Sequence, residues 1–221
     1  MHHNKLKYLP LNSADAYKQI IYLLLNEWEQ AKGIHRRSKY SKFLPGQKIE
    51  FLSDLSFLLT YKIQNSVFHH ADFLHCYKEL YRKYYLPEDE GTIVASEVES
   101  HTGIIHETYR DQYEFSHLTI QEYLCADVLA RQPFSDKFYE YLRFYPAPIA
   151  VAVTISSDSG RWLASFILNS NGKSYIGISS YEILFTRLLF EKPTFNISVE
   201  LGLVTMYLFL SLIHISEPTR L

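Results

Sequence analysis

One histidine in this sequence stands where two kinds of local pattern meet. In EFSHLTIQEYL, residues 114 to 124, alternating spacing gives way to helical spacing at His117. A helix N-terminus offers free backbone N–H groups and a partial positive charge, which favour an anion and disfavour imidazolium. A neutral ring there could donate one hydrogen bond to a phosphate oxygen. Alternatively, His117 only bonds to backbone where the helix starts, and the residues alone leave both interpretations open.

Other residue types with metal or nucleophilic chemistry lack a supporting context. No second pair has zinc-site spacing near the cluster His69, His70, His75 and Cys76. Both cysteines, Cys76 and Cys125, lie in apolar helical patterns, which predicts buried thiols and a reducing setting. A solvated loop is favoured over a phosphate site for the basic run His35, Arg36, Arg37, Lys39 and Lys42.

The motifs of several enzyme classes are missing. The chain has no G-x-x-x-x-G-K-[ST] phosphate loop and no G-x-G-x-x-G stretch. No Ser-His-Asp or paired-carboxylate arrangement has a local context either. We therefore expect that this chain is not an enzyme by itself, and that it holds neither a cofactor nor a metal.

Composition predicts one or two globular domains that are mostly helical. The chain has 221 residues, is 47% hydrophobic, has only 8 Gly and 8 Pro, and carries a net charge of −2. Without a basic surplus, we expect neither nucleic acid nor a membrane surface as partner. The apolar run at 204–215 is shorter than the roughly 20 residues that a spanning helix needs. The N-terminus has no signal-peptide core, so a cytoplasmic location is predicted.

The elements that position His117 follow from periodicity. Apolar spacing predicts helices over Ala14–Lys32, Ile49–Leu59, Ala71–Tyr85 and Thr92–His101, with Gly103 just after the last. Two short strands, Ile104–Thr108 and Gln112–Phe115, are expected around a four-residue polar turn. Helices, a hairpin and another helix, in this order, are typical of a winged helix. The predicted fold class is therefore mainly α, a winged-helix domain with a small β-hairpin wing flanked by helical segments.

The helix after the hairpin carries its own start signal. Thr119 and Glu122 fit a T-x-x-E capping box, with Leu118 and Tyr123 at the two staple positions. After Pro133 the pattern stays helical, with one helix suggested around Trp162 and another over Tyr181–Phe190.

Residues 113 to 130, YEFSHLTIQEYLCADVLA, resemble the winged-helix end of NACHT-type signalling NTPases, which include the NOD-like receptors. The similarity extends upstream to YKQIIYLLLNEWEQAKGI (17–34), FLSDLSFLLT (51–60) and GIIHE (103–107), and so covers residues 15 to 131. The family pattern in this region is Phe-x-His-x-[Ser/Thr], followed by Gln-Glu and Tyr or Phe. The matching residues are Phe115, His117, Thr119, Gln121, Glu122, Tyr123 and Ala126, whereas Cys125 replaces the first alanine of the pattern.

The resemblance implies a role in a nucleotide switch. In that family a winged-helix histidine contacts the β-phosphate of ADP in the closed state, and this role falls on His117. Gln121, Glu122 and Tyr123 would shape the helix and its packing. ATP or ADP with Mg²⁺ would bind to the parent protein on an NTPase domain preceding residue 1, and the activated parent would form a homo-oligomer. Family members act in innate immunity or antiphage defence. The alternative is a free-standing winged-helix module for protein interaction, without nucleotide dependence.

Four segments are expected. Residues 1–45 are a helical segment before the winged helix, 46–131 the winged-helix domain, and 132–209 a truncated C-terminal helical domain. LSLIHISEPTR, residues 210 to 220, resembles a translated sequencing adapter, so 210–221 is expected to be an artefact. The expectation is therefore that the chain is a fragment of a larger protein.

Overall fold

A computed structural model describes residues 13–31, 38–133, 135–169 and 178–195. Its chain contacts divide it into two compact units, Met1–Leu129 and Ala130–Leu221, and each is described by itself. The predicted mainly helical fold with a small antiparallel sheet is confirmed. The expected adapter segment and the apolar run at 204–215 lie outside the described residues.

The first unit contains five helices, a π-helical turn and three strands among its described residues. In chain order they are α1 (Ser13–Ala31), α2 (Pro45–Leu58) with the π-helical turn Leu59–Ile63, β1 (Val67–His69), α3 (His70–Leu80), α4 (Gly91–Thr102), β2 (Ile105–Tyr109), β3 (Gln112–Phe115) and α5 (Leu118–Arg131). Pro45 suits the first turn of α2 because the amide hydrogen it lacks would have had no intrahelical partner.

The three strands form one antiparallel sheet in the order β1-β3-β2. Phe68 pairs with Tyr113 on one side of β3, and Ile105 pairs with Phe115 on the other. Helix, strand, two helices and a hairpin, from α2 to β3, make up a winged helix. Strand β1 was not predicted, because three residues are too few to show a period of two and only pairing with β3 makes them a strand.

The wing is tighter than predicted. Strand β2 runs one residue further than predicted, to Tyr109, which pairs with Gln112, so two residues lie between the paired ends of a four-residue turn. Asp111 takes a left-handed φ of 58°, and its N–H donates to Oε1 of Glu107 at 3.1 Å. Aspartate tolerates this conformation better than most residues, which explains how a turn without glycine can close here.

Several helix ends differ from the prediction. Helix α2 begins at Pro45, four residues before the predicted Ile49. Helix α3 stops at Leu80, and hydrogen-bonded turns lead on to Tyr85 at a left-handed φ of 54°. Helix α4 begins at Gly91, one residue before the prediction. Its predicted end is confirmed, because Gly103 has a φ of 61° and its N–H donates to the carbonyl of Glu99. Glycine ends helices in this way because it has no Cβ to clash.

An aromatic cluster forms the centre of the first unit. Phe51 on α2 contacts Phe43 at 5.5 Å and Tyr84 at 5.3 Å between ring centroids, both edge to face. Phe73 and Tyr77 of α3 close the cluster, and all five rings are buried. Burying a ring of this size contributes roughly 1.5–3 kcal/mol, so the cluster is a main source of the unit's stability.

The second unit is helical throughout its described residues. Tyr139 stacks on Phe166 with centroids 5.2 Å apart and donates its hydroxyl to the Phe166 carbonyl at 2.6 Å. Trp162 also stacks on the Phe166 ring, and both residues lie on the helix Ser159–Leu168. The helices are α6 (Lys137–Phe144), α7 (Ala147–Ile155), α8 (Ser159–Leu168) and α9 (Ile178–Glu191).

Two further predictions can be compared with the described residues. Cys76 and Cys125 are both buried and free, as predicted, and burial raises the pKa of the Cys76 thiol to about 12. Among the described helices, none has both the length and the apolar character needed to cross a membrane.

Candidate functional site

His117 lies immediately before the first residue of α5. Its carbonyl accepts the N–H of Ile120 at 3.0 Å, which makes His117 the N-cap of the helix. Its ring nitrogen Nδ1 accepts the N–H of Thr119 at 3.2 Å and lies 2.7 Å from the Thr119 hydroxyl. The side chain is exposed. The imidazole therefore satisfies one of the amides that a helix start leaves without a partner.

This cap determines the tautomer of the neutral ring. Because Nδ1 accepts a backbone N–H, the hydrogen of a neutral imidazole must be on Nε2. An exposed Nε2–H beside a helix N-terminus is a hydrogen-bond donor in a region that favours anions. Capping and contact with a ligand, which are alternatives from the sequence, would use different nitrogens of one ring and are therefore compatible.

The predicted capping box is wrong. Helix α5 starts at Leu118, so Thr119 lies inside the first turn and its hydroxyl contacts His117. Glu122 is 4% exposed and is the fifth residue of the helix, two residues past the third position that the second half of the box requires. The histidine takes over the cap because its ring reaches the second amide of the helix, as a serine or threonine hydroxyl would.

The other residues of the motif lie at buried contacts of α5. Phe115 ends β3 and packs against Phe68 at 6.1 Å between centroids. Gln121 is 3% exposed, and its Nε2 donates to Thr60 Oγ1 at 3.1 Å. Tyr123 lies beside Tyr17 of α1 at 5.9 Å, and burial raises its pKa to about 12. The contact of Phe115 with Phe68 joins β3 to β1. Gln121 and Tyr123 join α5 to the π-helical turn and to α1.

In the structure, two histidines of the cluster at residues 69 to 76 form hydrogen bonds within the fold. Asp72 accepts the N–H of His69 at 2.8 Å in a capping box at the start of α3. His70 Nε2 lies 3.0 Å from the Thr92 hydroxyl. No group of three or more His, Cys, Asp or Glu could hold a metal ion within the described part of the chain.

A buried ion pair escaped the sequence analysis. Lys48 of α2 is 5% exposed and its Nζ lies 3.0 Å from Oε1 of Glu97, which is 7% exposed. Lys48 Nζ also lies 2.8 Å from Nδ1 of His101. Glu97 points into the domain, whereas Ser96 next to it is exposed. The two residues are 49 apart in the chain, so no local pattern could reveal the pair.

The face that reads DNA in many winged helices lacks basic residues here. Helix α4 contains no lysine or arginine, and its exposed side chains include Thr92, Ile93 and Ser96. Glu99 accepts the N–H of Glu107 at 2.9 Å and so ties the helix to the wing. A DNA reader needs cations at this position to meet phosphates.

The order of the elements makes the first unit a winged-helix domain. A family model described as the winged helix-turn-helix domain C-terminal to NACHT matches residues 13–129. The match covers more than half of the chain, and the chain belongs to this family. Searches of curated proteins and of solved structures returned no match.

Proposed function

We propose that this chain is the regulatory winged-helix part of a NACHT NTPase and that His117 contacts the β-phosphate of bound ADP. Membership of the family supports a regulatory part that is not itself catalytic. Nucleotide, with Mg²⁺, would be bound by an NTPase domain of the parent protein, whose release from the ADP-bound state would allow homo-oligomerisation. The observation that carries this proposal is the exposed Nε2 of His117 at the N-terminus of α5.

The chemistry of the contact is simple. With Nδ1 engaged by the Thr119 amide, the Nε2–H group can donate to a terminal phosphate oxygen. The partial positive charge of the helix N-terminus adds a favourable interaction with the same anion. A ligand that contacts the winged helix only in the closed arrangement stabilises that arrangement by its difference in affinity. Loss of the contact therefore shifts the population towards the open state.

The test compares three variants in the parent protein that includes its NTPase domain. His117→Ala should release bound ADP faster and raise the fraction of oligomer before any stimulus, as measured by nucleotide retention and by light scattering. His117→Asn should do the same, although asparagine still caps the helix well. His106→Ala removes another part-exposed histidine, on the wing, and should change neither quantity.

The variants separate capping from ligand contact. If His117→Ala destabilises the domain while both His117 variants retain ADP normally, the histidine is only a cap. In that case the second candidate, an interaction module without nucleotide dependence, would be favoured, since the surface of α4 has a neutral and apolar character.

A further inference from the structure

Three consecutive residues, Ser38, Lys39 and Tyr40, are here called the strap. They form hydrogen bonds with one carboxylate on α4 and with another at the N-cap of that helix. Glu97 accepts the Ser38 hydroxyl at 2.6 Å through Oε1 and the Lys39 N–H at 3.1 Å through Oε2. Glu90, the N-cap of α4, accepts the Lys39 ammonium at 2.7 Å and the Tyr40 hydroxyl at 2.6 Å. Four hydrogen bonds to two side chains thus fix three consecutive residues.

Glu97, which accepts two of the strap's hydrogen bonds, is a buried carboxylate whose charge is balanced by a buried lysine. Glu97 is held against Lys48, which is itself buried and also contacts His101. Burial raises the pKa of the Glu97 carboxyl, but hydrogen bonds from Ser38, Lys48 and the Lys39 N–H outweigh it and bring the pKa below its ordinary value. The carboxylate therefore stays charged, and its charge is what the strap and Lys48 both bind.

The strap lies in the chain between α1 and the winged helix. Helix α1 packs on the winged-helix core through Ile21 and Leu25, while Ile20 and Tyr22, on either side of Ile21, are exposed. Beside this joint lies a cavity of about 150 Å³, whose lining includes Leu25, Ser38, Phe43, Lys48 and His101. Atoms at a cavity lack dispersion contacts on one side, so this joint is less tightly packed than the aromatic cluster.

We propose that the hydrogen bonds of the strap can break and re-form, and that they determine whether α1 stays packed on the winged helix. While Glu97 and Glu90 hold residues 38–40, Ser38 stays beside Leu25 at the shared cavity and α1 remains on the core. When these bonds break, α1 separates, whereas the sheet and helices α2 to α4 keep their fold. This movement does not depend on the nucleotide contact proposed for His117, and either proposal can fail without the other.

The experiment is hydrogen–deuterium exchange by mass spectrometry on the full chain and on single variants. Glu97→Gln keeps the size of the side chain but removes the charge that Lys48 and the strap bind. Exchange in peptides covering the strap should become about tenfold faster, the factor expected for the loss of one net hydrogen bond. Over labelling times too short for global unfolding, peptides of α1 should follow, and those of β1, β3 and α3 should not change.

Glu99→Gln is the matched control on the same helix. Glu99 accepts the wing amide of Glu107, so this variant should affect only peptides of the wing. If Glu97→Gln speeds exchange uniformly across the first unit, or leaves the strap unchanged, the proposal is wrong. Should Glu97→Gln not fold, Ser38→Ala removes no charge, only the hydroxyl that donates to Glu97 and accepts the Tyr40 N–H. It must raise exchange in the strap and α1 alone for the proposal to stand.

Discussion

At the start of α5, the imidazole of His117 replaces the hydroxyl or carboxylate that usually caps a helix. A serine or aspartate there would satisfy the amide of Thr119 equally well. Neither would leave an N–H donor facing outward next to the helix N-terminus. The choice of histidine therefore adds a hydrogen-bond donor for an anion to a cap that other residues could provide.

The buried carboxylate of Glu97 predicts a particular pH dependence. Its pKa is lowered in the folded state, so the bonds it makes contribute stability above the ordinary glutamate pKa of about 4.3 and lose it as the pH falls through the lower folded value. Glu97→Gln should lower the free energy of unfolding by about 1–3 kcal/mol at neutral pH. The difference from the unsubstituted chain should persist down to about pH 5 and shrink progressively as the pH falls below the ordinary glutamate pKa towards the lower folded value.

Denaturant unfolding at a series of pH values measures this difference. The same charged and titratable groups face the site in the unsubstituted chain and in the Glu97→Gln variant: Lys48 on α2, His101 and Glu90 at α4, and Lys39 and Tyr40 of the strap. The comparison therefore isolates the carboxyl of Glu97. Glu50→Gln, at an exposed position of α2, should unfold like the unsubstituted chain throughout. A Glu97→Gln difference that is the same at pH 3 and pH 7 would contradict the assignment.

Helix α4 packs closely against α3 because Gly91, its first residue, has no side chain. A Cβ there would lie 2.6 Å from Cδ2 of Leu74 and 2.9 Å from Cδ1 of Tyr77. Both distances are below normal carbon contact, and the Tyr77 ring is fixed in the aromatic cluster. Helix α4 can pack against α3 at this distance only if it starts with glycine.

Gly91→Ala should therefore destabilise the first unit, although alanine favours helix formation. The expected loss is about 1–3 kcal/mol, as for other overpacked sites, and thermal unfolding measures it. Gly46→Ala in the first turn of α2 is the control, because a Cβ there meets nothing within 4 Å. That control should be neutral or stabilising by up to about 1 kcal/mol. Equal effects of the two substitutions would show that contact with α3 is unimportant.

At the scale of the whole chain, the hydrophobic core that includes the aromatic cluster lies entirely between Ile21 and Leu124. The second unit has its own cluster around Tyr139, Trp162 and Phe166. A chain cut after Arg131, the last residue of α5, keeps all members of the first core. Separate cores are the physical basis for independent folding.

Residues 1–131 should therefore fold alone and unfold in one cooperative transition. Near-ultraviolet circular dichroism should show fixed tyrosine and phenylalanine environments, and heating should abolish them at one midpoint. A truncated chain that binds hydrophobic dyes and lacks near-ultraviolet signal would mean that the first core is incomplete without the second unit.

Local patterns were sufficient for the order of the elements around the site. Helical spacing, the glycine after α4 and the alternation in the hairpin depend on neighbours a few residues apart, so they predicted α2 to α5 and placed His117 at a helix start. Helix ends shifted where tertiary contacts intervened, as at α3. The capping residue was misassigned because a histidine cap has no strong sequence signature.

The sequence by itself determined the mainly helical class, the winged-helix order and the position of the motif from Phe115 to Tyr123. Tertiary structure alone decided which partners those elements bring together. Strand β1 exists because β3 lies beside it, and Glu97 is buried because Lys48 and the strap meet it there. Periodicity shows which face of an element avoids water, whereas pairing between residues 43 or more positions apart leaves no mark on either segment alone.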